Sequence, residues 1–538
     1  MKPRCIPALV LLYTGCTSSD PSNGKSDGSG TDTSETSTTS TTDTTSTSTS
    51  TSTSSTPTVP LVDMTIAADD PNIRYTGRWD LSDPTAPWAG WQGASILVTF
   101  HGTEITAQLD PGQSEEWFRV IVDGDHFAST KLRAPLGIND LVLATGLSNE
   151  PHTIELVKET YKGTNATFHG FTVLSPSIGL VANPPEPSKR IVFYGDSNLA
   201  GDSVEHEQNN ASWEFRGSHF TLAGNAARML DAAYQNISTS GETISGANNR
   251  HDRTDWWDPS SLYDFTRFPA DLVVVNLGAN DVWRPEQQIR RDYEDLLDDL
   301  RIAHPDAHIV LFNGYGWDYD ETANYTHEVA ADYGDPDLSV AIFPWVFEQW
   351  HGCEYDHAGM AVILADHVAA TLGWPVGDSG VMSGFGVAGD VANGSFEEIA
   401  PFGGYGWRYA FAPGVQRIQD PANAQDGDHF VELTDGADIH QPNPASDGDT
   451  VSATVWLRAA NDGEEARLTV DFRDQEMWTN PLASTPLDVV LTTAWQPYVI
   501  EATAPVAGPR PVFHTRLTIS AGAGATVSVD AIEMTTQP

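Results

Sequence analysis

The sequence is poor in cysteine and in lysine, and it has no long apolar run. Its 538 residues include 3 cysteines, and its six lysines all lie at or before Lys189. Once Cys5 and Cys16 are assigned to an N-terminal signal, Cys353 is left alone, which excludes a disulfide framework and a cysteine metal site. No run of about 18 apolar residues occurs, so we expect no transmembrane helix. The formal charge of −46 repels polyanions, which excludes nucleic acid as a partner.

The first sixteen residues have the features of an export signal. A basic start, Met1–Arg4, precedes a short apolar stretch that ends at Leu12. The segment Leu12–Cys16 resembles the lipobox of bacterial lipoproteins, and this resemblance implies that Cys16 is lipidated and becomes the mature N-terminus. Tyr13 departs from the usual small aliphatic residue. We therefore expect either a cell-envelope or cell-surface lipoprotein, attached to the membrane only through its lipid, or a secreted protein.

Composition and periodicity divide the remaining chain into four segments. Residues 17–60 are almost wholly Ser, Thr, Asp and Gly, which predicts a disordered linker. Residues 61–178 alternate with period two and predict a β-sandwich. Residues 188–376 alternate strands with helices and predict a three-layer α/β domain with a mostly parallel sheet. Residues 385–538 are again strand-rich and predict a second β-sandwich.

Specific elements of the α/β domain are predicted from apolar runs and helical spacing. The expected strands are Ile191–Tyr194, Leu272–Leu277, His308–Phe312 and Val340–Phe343, and the expected helices are Leu222–Ala233, Glu286–Ala303 and His357–Leu372.

A candidate nucleophile follows the first of these strands. Gly195-Asp196-Ser197 breaks the apolar run sharply, which places Ser197 at the carboxyl end of a strand where ligands bind in open α/β sheets. The same tripeptide recurs with Ser203 and Ser379. Only Ser197 follows an uninterrupted apolar strand, so it is the serine that we assign to catalysis.

Two further segments carry candidate oxyanion donors. Asn280 follows Gly278 after the apolar strand from Leu272, and its amide at the sheet edge is able to donate a hydrogen bond to an oxyanion. A similar motif at Gly137–Asp140 follows no such strand. Gly246 offers a backbone N–H for the same purpose, as does Ser197 itself.

The general base is sought in residues 350–360, just before the last predicted helix. A histidine held by an acceptor is required to activate a serine, and His357 has Glu354 three residues earlier. His351 has Glu348 at the same spacing and is the alternative pair. Asp356 or a backbone carbonyl are alternatives to Glu354 as the orienting acceptor.

Taken in order, these blocks resemble the SGNH or GDSL hydrolase superfamily. Asp69–Asp80, Phe168–Thr172 and the Gly352-Cys353-acid-Tyr-histidine segment narrow the resemblance to carbohydrate esterase family 2. The resemblance implies a jelly roll joined to a flavodoxin-like esterase domain that removes acetyl groups from polysaccharides. Asn198 after the serine and a shortened segment after His357 depart from the family pattern.

The C-terminal segment resembles carbohydrate-binding modules of secreted glycan enzymes. The matching residues are Asn393–Glu397 near its start and Val527–Asp530 near its end. The resemblance implies a structural calcium with Glu397 and Asp530 as ligands. The esterase chemistry itself requires no metal or other cofactor.

We therefore predict an exported serine esterase that deacetylates a polysaccharide. Ser197, His357 and Glu354 are its predicted catalytic residues, and Ser197, Gly246 and Asn280 its predicted oxyanion donors. A lipase or thioesterase of the same superfamily and a non-catalytic glycan-binding surface protein are the alternatives.

Overall fold

The computed structural model describes residues 60–161, 165–207, 210, 212–313, 325–344, 351–377, 389–400, 403–408, 412–474, 480–506 and 510–538. They form an N-terminal β-rich region, a central α/β region and a C-terminal strand-rich region. None of the helices in these ranges combines the length and the apolar character needed to cross a membrane. The predicted signal, the lipidation residue Cys16 and the predicted linker up to Val59 lie outside the described residues.

The N-terminal region consists of two six-stranded antiparallel sheets around one apolar core. Its strands are β1 (Val62–Ile66), β2 (Arg74–Thr76), β3 (Trp79–Asp80), β4 (Trp88–Ala89), β5 (Ser95–Gly102), β6 (Glu104–Asp110), β7 (Glu116–Val122), β8 (Thr130–Ala134), β9 (Asn139–Ala144), β10 (Glu150–Lys158), β11 (Ala166–Ser175) and β12 (Gly179–Val181). One sheet has the order β3-β4-β11-β6-β9 with β1 paired to β11, and the other has the order β12-β5-β10-β7-β8 with β2 paired to β5.

Period-two alternation explains why these two sheets face each other. Ile96, Val98 and Phe100 of β5 are buried in the same core as Ile105 and Ala107 of β6, which belongs to the other sheet. Alternate residues of a strand lie on one face, so each sheet contributes one apolar face to the core.

The central region is a five-stranded parallel sheet with helices. Its elements are β13 (Lys189–Gly195), α1 (Leu222–Met229), β14 (Ala232–Ser238), α2 (Ile244–Asn248), β15 (Leu272–Asn276), α3 (Glu286–Ala303), β16 (His308–Asn313), α4 (Thr326–Tyr333), β17 (Leu338–Ile342) and α5 (Glu354–Leu372). Short 3-10 helices cover Trp213–Phe215 and Phe265–Arg267. The strand order is β14-β13-β15-β16-β17. β13 and β15 are buried throughout their apolar runs because both faces of the sheet are covered.

The predicted strands and α3 are confirmed, and two helix boundaries are wrong. The helix predicted over Leu222–Ala233 ends at Met229, because residues from Ala232 onward form β14. The last helix begins at Glu354, three residues before the predicted start. His357 therefore lies inside α5 and not in the loop before it.

The C-terminal region consists of two antiparallel sheets around a second apolar core. Its strands are β18 (Val415–Gln419), β19 (His429–Thr434), β20 (Asp438–Pro444), β21 (Thr450–Ala459), β22 (Glu465–Arg473), β23 (Ala483–Val490), β24 (Gln496–Thr503), β25 (His514–Ala521) and β26 (Thr526–Gln537). The sheet orders are β18-β19-β26-β21-β24 and β20-β25-β22-β23. The predicted change from α/β to all-β structure is thus confirmed.

Candidate active site

The carboxyl ends of three parallel strands meet at one edge of the central sheet. Gly195 at the end of β13 pairs with Ser238 of β14 on one side and with Asn276 of β15 on the other. The segments that follow these strands therefore emerge side by side. In open α/β sheets this edge is where ligands bind.

Ser197 lies at this edge, two residues beyond β13. It is 8% exposed, and its carbonyl oxygen accepts a hydrogen bond of 2.9 Å from the Asp202 N–H. Its own N–H has no hydrogen-bond acceptor among the described residues. An N–H in this position is able to donate to the carbonyl oxygen that becomes an oxyanion when the serine attacks an ester, which is the role predicted for Ser197.

Asn280 lies beside the Ser197 turn, as predicted. Its Nδ2 donates to Asp196 Oδ2 at 3.2 Å and to the Glu242 carbonyl at 2.9 Å. Burial raises the pKa of Asp196 to about 7, and this side chain also accepts the Asn198 N–H at 3.0 Å. An oxyanion would therefore compete with Asp196 or Glu242 for the Asn280 amide.

The structure does not support Gly246 as an oxyanion donor. Gly246 lies within α2, and its N–H donates to the Thr243 Oγ1 that caps this helix, at 3.1 Å. Another glycine, Gly241, lies three residues beyond the end of β14. Its N–H has no acceptor among the described residues, and no atom lies within 4 Å of the position a Cβ would take. The feature of the sequence that points to Gly241 is its position just after the end of β14.

A charged network next to this edge was not predicted. Asp202 accepts a hydrogen bond from Ser240 Oγ and forms an ion pair of 2.8 Å with Arg216. Asp202 belongs to the second Gly-Asp-Ser, whose Ser203 Oγ accepts the Asn210 N–H at 2.8 Å. The second Gly-Asp-Ser, which we did not assign to catalysis, therefore contributes the Asp202 carboxylate next to this edge.

His357 does not have the geometry of a general base. The imidazole is 0% exposed, and its Nδ1 accepts a hydrogen bond of 3.1 Å from the backbone N–H of Leu222, the first residue of α1. Its ring proton must therefore sit on Nε2. The base of a serine hydrolase has the opposite tautomer, with Nδ1–H donated to an acceptor and Nε2 facing the serine. Burial and the nearby His351 lower the pKa of His357 to about 3. In this structure His357 joins α5 to α1 through the Leu222 N–H.

Glu354 and Asp356 do not orient His357 either. Neither carboxylate oxygen of Glu354 has a hydrogen-bond partner among the described residues. Burial raises the pKa of Glu354 well above its usual value, and the neighbouring Glu205 adds to this effect. Asp356 accepts the Cys353 N–H at 3.0 Å and forms an ion pair with Arg408. Among the described residues, Glu354 therefore has no contact that would orient His357, and Asp356 is engaged by Cys353 and Arg408.

His351 is closer to the requirements of a base. It is half-buried in the segment before α5, and the adjacent Gly352 N–H donates to Asn198 Oδ1 at 3.3 Å. Asn198 follows Ser197 directly, so this contact brings the His351 segment to the serine turn. Burial and the Arg216 guanidinium lower the pKa of His351 to about 4, which keeps the imidazole neutral and able to accept a proton at neutral pH.

Three remaining candidates lie away from this edge or beyond the described residues. Asn139, from the similar motif at Gly137–Asp140, belongs to β9 in the N-terminal region, and its Nδ2 donates to the Pro135 carbonyl at 2.5 Å. Ser379 and Glu348, the acid predicted to pair with His351, fall outside the described residues.

The contacts of Glu397 and Asp530 do not fit a calcium site. Glu397 Oε1 accepts the backbone N–H groups of Asp428 and His429 at 2.7 and 2.8 Å, and its Oε2 contacts His429 Nδ1 at 2.7 Å. Asp530 Oδ2 accepts the N–H groups of Gln425 and Asp426 at 2.7 and 3.0 Å. Calcium requires oxygen ligands with lone pairs directed at the ion, whereas these oxygens face N–H donors. The described part of the chain also holds no group of three or more His, Cys, Asp or Glu suited to a metal.

Two family models match the chain in the order of its first two regions. Residues 75–184 match the carbohydrate esterase 2 N-terminal domain. Residues 193–357 match the GDSL-like lipase/acylhydrolase family. Both matches end before the C-terminal region begins.

Curated relatives of known name are similar over the same part of the chain. The cellulase/esterase CelE of Acetivibrio thermocellus is 30% identical over 332 residues, which cover 57% of this chain but only 40% of that protein. The acetylxylan esterase / glucomannan deacetylase of Cellvibrio japonicus is 25% identical over 343 residues, which cover 58% of this chain and 92% of that protein.

Solved structures agree with this similarity. A family two carbohydrate esterase from Clostridium thermocellum in complex with cellohexaose has a TM-score of 0.51 at 28% identity and matches over 56% of this chain and 99% of its own. The family two carbohydrate esterase from Cellvibrio japonicus, at 19% identity, shares the fold with a TM-score of 0.53 over 58% of this chain and 99% of its own. Residues 75–357 are thus similar in sequence and in fold to the family 2 carbohydrate esterases, with the N-terminal domain of that family followed by a GDSL-like hydrolase domain.

Proposed function

We propose that this protein is a serine esterase that removes acetyl groups from a polysaccharide. The observation that carries the proposal is the arrangement at the sheet edge, where Ser197 with an uncommitted N–H lies beside Asn280 and the His351 segment. A serine hydroxyl, a neutral imidazole and converging N–H donors are the groups that acyl transfer requires.

In the proposed mechanism Ser197 Oγ attacks the acetyl carbonyl carbon. His351 accepts the serine proton and donates it to the sugar oxygen as the C–O bond breaks, so that the sugar leaves with a free hydroxyl. The N–H groups of Ser197 and Gly241 and the amide of Asn280 stabilise the oxyanion. Water, activated by the same imidazole, then releases acetate from the acetyl-enzyme.

Exposed aromatic side chains beside the site support a carbohydrate substrate. Trp283 is 74% exposed, and its Nε1 donates to the Asn280 carbonyl at 2.8 Å, so the indole is fixed next to a proposed oxyanion donor. Trp257 is also exposed and packs against Trp256, with ring centroids 3.8 Å apart and ring planes inclined by 35°. An indole presents a flat apolar face together with a polar N–H, which suits the apolar face and the hydroxyl rim of a sugar ring. The cellohexaose in the complex of the Clostridium thermocellum relative consists of sugar rings with such an apolar face and hydroxyl rim.

Acetate release from acetylated xylan, mannan and pectin tests the proposal. We expect the wild type to release acetate from at least one of them and Ser197→Ala to release none. Ser203→Ala, from the second Gly-Asp-Ser, is the matched control and should retain activity. Preference for long acyl chains in a series of acetyl, butyryl and longer esters would favour the lipase or thioesterase alternative. Glycan binding without ester hydrolysis would favour the non-catalytic one.

We also propose the cellular location and the finer folds from the sequence resemblance. The lipobox-like Leu12–Cys16 supports a lipid-anchored, exported protein. We expect the wild type to enter the detergent phase of a phase separation and Cys16→Ser to remain in the aqueous phase.

The two-sheet N-terminal region supports a jelly roll, and the order β14-β13-β15-β16-β17 supports a flavodoxin-like domain. The two-sheet C-terminal region supports a carbohydrate-binding module.

A further inference from the structure

The C-terminal region contributes a buried cation to the start of α5. Arg408 is 5% exposed, and its backbone N–H donates to the His440 carbonyl of β20 at 2.9 Å, which fixes it to the C-terminal sheet. Its guanidinium reaches the central region, where it forms an ion pair with Asp356 and donates from Nη1 to Cys353 Sγ at 3.3 Å. Arg408 therefore binds two residues of the first turn of α5.

A single carboxylate joins this arginine to the helix terminus. Asp356 Oδ2 accepts the Cys353 N–H at 3.0 Å, which caps α5, and the same oxygen is the partner of Arg408. Asp356 is fully buried. An ion pair in this environment is costly to break because the remaining charge cannot be solvated. The position of the cap is therefore coupled to the presence of Arg408.

Apolar packing at the same place reinforces this coupling. Ala392 and Ala400, which precede the C-terminal strands, are buried in the same core as Met360 and Leu364 of α5. Gly406 has a φ of +85°, and a Cβ at this position would lie 2.8 Å from Cε1 of Tyr355 in the first turn of α5. The close approach requires glycine, so the C-terminal segment is fitted to this turn of the helix.

The cap is directly connected to the proposed base. His351, Gly352 and Cys353 are consecutive, and the Gly352 N–H contacts Asn198 Oδ1 next to Ser197. The short segment 351–353 is thus held by the serine turn at one end and by Arg408 through the α5 cap at the other. A displacement of the cap moves His351 relative to Ser197.

We propose that Arg408 is a positioning residue of the esterase site, so that the C-terminal region is a component of the catalytic unit as well as an appended module. The inference rests on the proposed esterase function. It concerns a residue beyond both family matches, the second of which ends at residue 357. Because a misplacement of about 1 Å lowers turnover by roughly 100-fold, the loss of Arg408 should be visible in kcat.

The test compares Arg408→Gln and Arg408→Lys with the wild type in the full-length protein. Initial rates are measured on an acetyl ester well below the melting temperature of each variant. We expect Arg408→Gln to lower kcat by roughly 10- to 100-fold while KM changes less than about twofold. Arg408→Lys keeps the charge and should recover part of the loss. A purely structural role would lower the melting temperature and leave kcat of the folded protein unchanged.

Two further variants make each outcome decisive. Arg467→Gln removes an exposed arginine of the same region, paired with Asp488, and should not change kcat. If Arg408→Gln does not fold, the double variant Arg408→Gln/Asp356→Asn removes both buried charges, and a lowered kcat in it supports the inference. An unchanged kcat in folded Arg408→Gln, or in the double variant, overturns it. An inactive wild type would overturn the proposed function and this inference with it. If the wild type is active and Ser197→Ala is inactive, the proposed function stands, and the Arg408 variants then test this inference alone.

Discussion

The sheet edge and the first turn of α5 both carry polar side chains near the proposed reaction centre, but their hydrogen bonding differs. At the edge, the N–H groups of Ser197 and Gly241 have no acceptor among the described residues. In α5, His357 accepts the Leu222 N–H, and Asp356 is held by Cys353 and Arg408. Groups with uncommitted donors are able to act on a substrate. The contacts of His357 and Asp356 instead hold α5 to α1 and to the C-terminal region.

The first prediction separates the two histidines that border these regions. His351→Ala should lower kcat by roughly 10⁴- to 10⁶-fold, the usual loss for a triad member. His357→Ala should keep kcat within about tenfold and lower the melting temperature, because it leaves a cavity and an unpaired Leu222 N–H that costs about 1–3 kcal/mol. Steady-state rates and thermal unfolding of both variants decide the matter. An inactive His357→Ala together with an active His351→Ala would restore the original assignment.

The second prediction concerns the amide at the edge. Asn280→Ala should lower kcat by about 10²- to 10³-fold with little change in KM, the usual loss for one oxyanion donor. Asn139→Ala, from the similar motif in β9, is the matched control. A kcat equal to that of the wild type would remove Asn280 from the site and leave it as a partner of Asp196 and of the Glu242 carbonyl.

The third prediction uses the charge next to His351. The pKa of this imidazole is lowered to about 4, first by burial and then by Arg216, so the acidic limb of kcat/KM should lie well below pH 6.5. A base acts only when deprotonated, and activity is therefore lost as the pH falls through its pKa. Arg216→Gln should move this limb to higher pH, and Arg290→Gln on α3 should not. A limb that stays in place would show that another group accepts the proton.

The fourth and smallest effect is expected at Glu354. Its pKa is raised by burial and by Glu205, so the folded protein binds a proton that the unfolded chain releases as the pH rises. Stability should therefore decline with rising pH through the range where this carboxyl ionises. Glu354→Gln should reduce that decline between pH 4 and pH 8 and leave kcat nearly unchanged. A large loss of kcat would return Glu354 to the catalytic residues.

Sequence reasoning placed Ser197 and Asn280 just beyond the ends of two strands because the signals for these positions are local. An apolar run that ends in Gly195-Asp196-Ser197 determines both the strand and the turn, and the same holds for the strand before Asn280. The sequence did not indicate that Gly246 lies inside α2, a helix that begins at Ile244 after the capping residue Thr243.

The helix-borne half depended on contacts that are distant in sequence. Cys353 is an unusual N-cap residue, so the capping box with Asp356 did not reveal that α5 begins at Glu354. His357 contacts Leu222, which lies 135 positions away in the sequence. Asp356 contacts Arg408, which lies 52 positions away. His351 and His357 each follow a glutamate by three residues, so this spacing does not distinguish them. Their tertiary contacts differ.

The most direct measurement is the site of covalent labelling by a serine-reactive phosphonate ester. The reagent forms a stable adduct with an activated serine, and the modified peptide is identified by mass spectrometry. We predict one adduct per chain on Ser197, loss of esterase activity in proportion to labelling, and no adduct on Ser197→Ala. An active enzyme that remains unlabelled at Ser197, or that is labelled and inactivated at Ser203 or Ser379, would contradict the account.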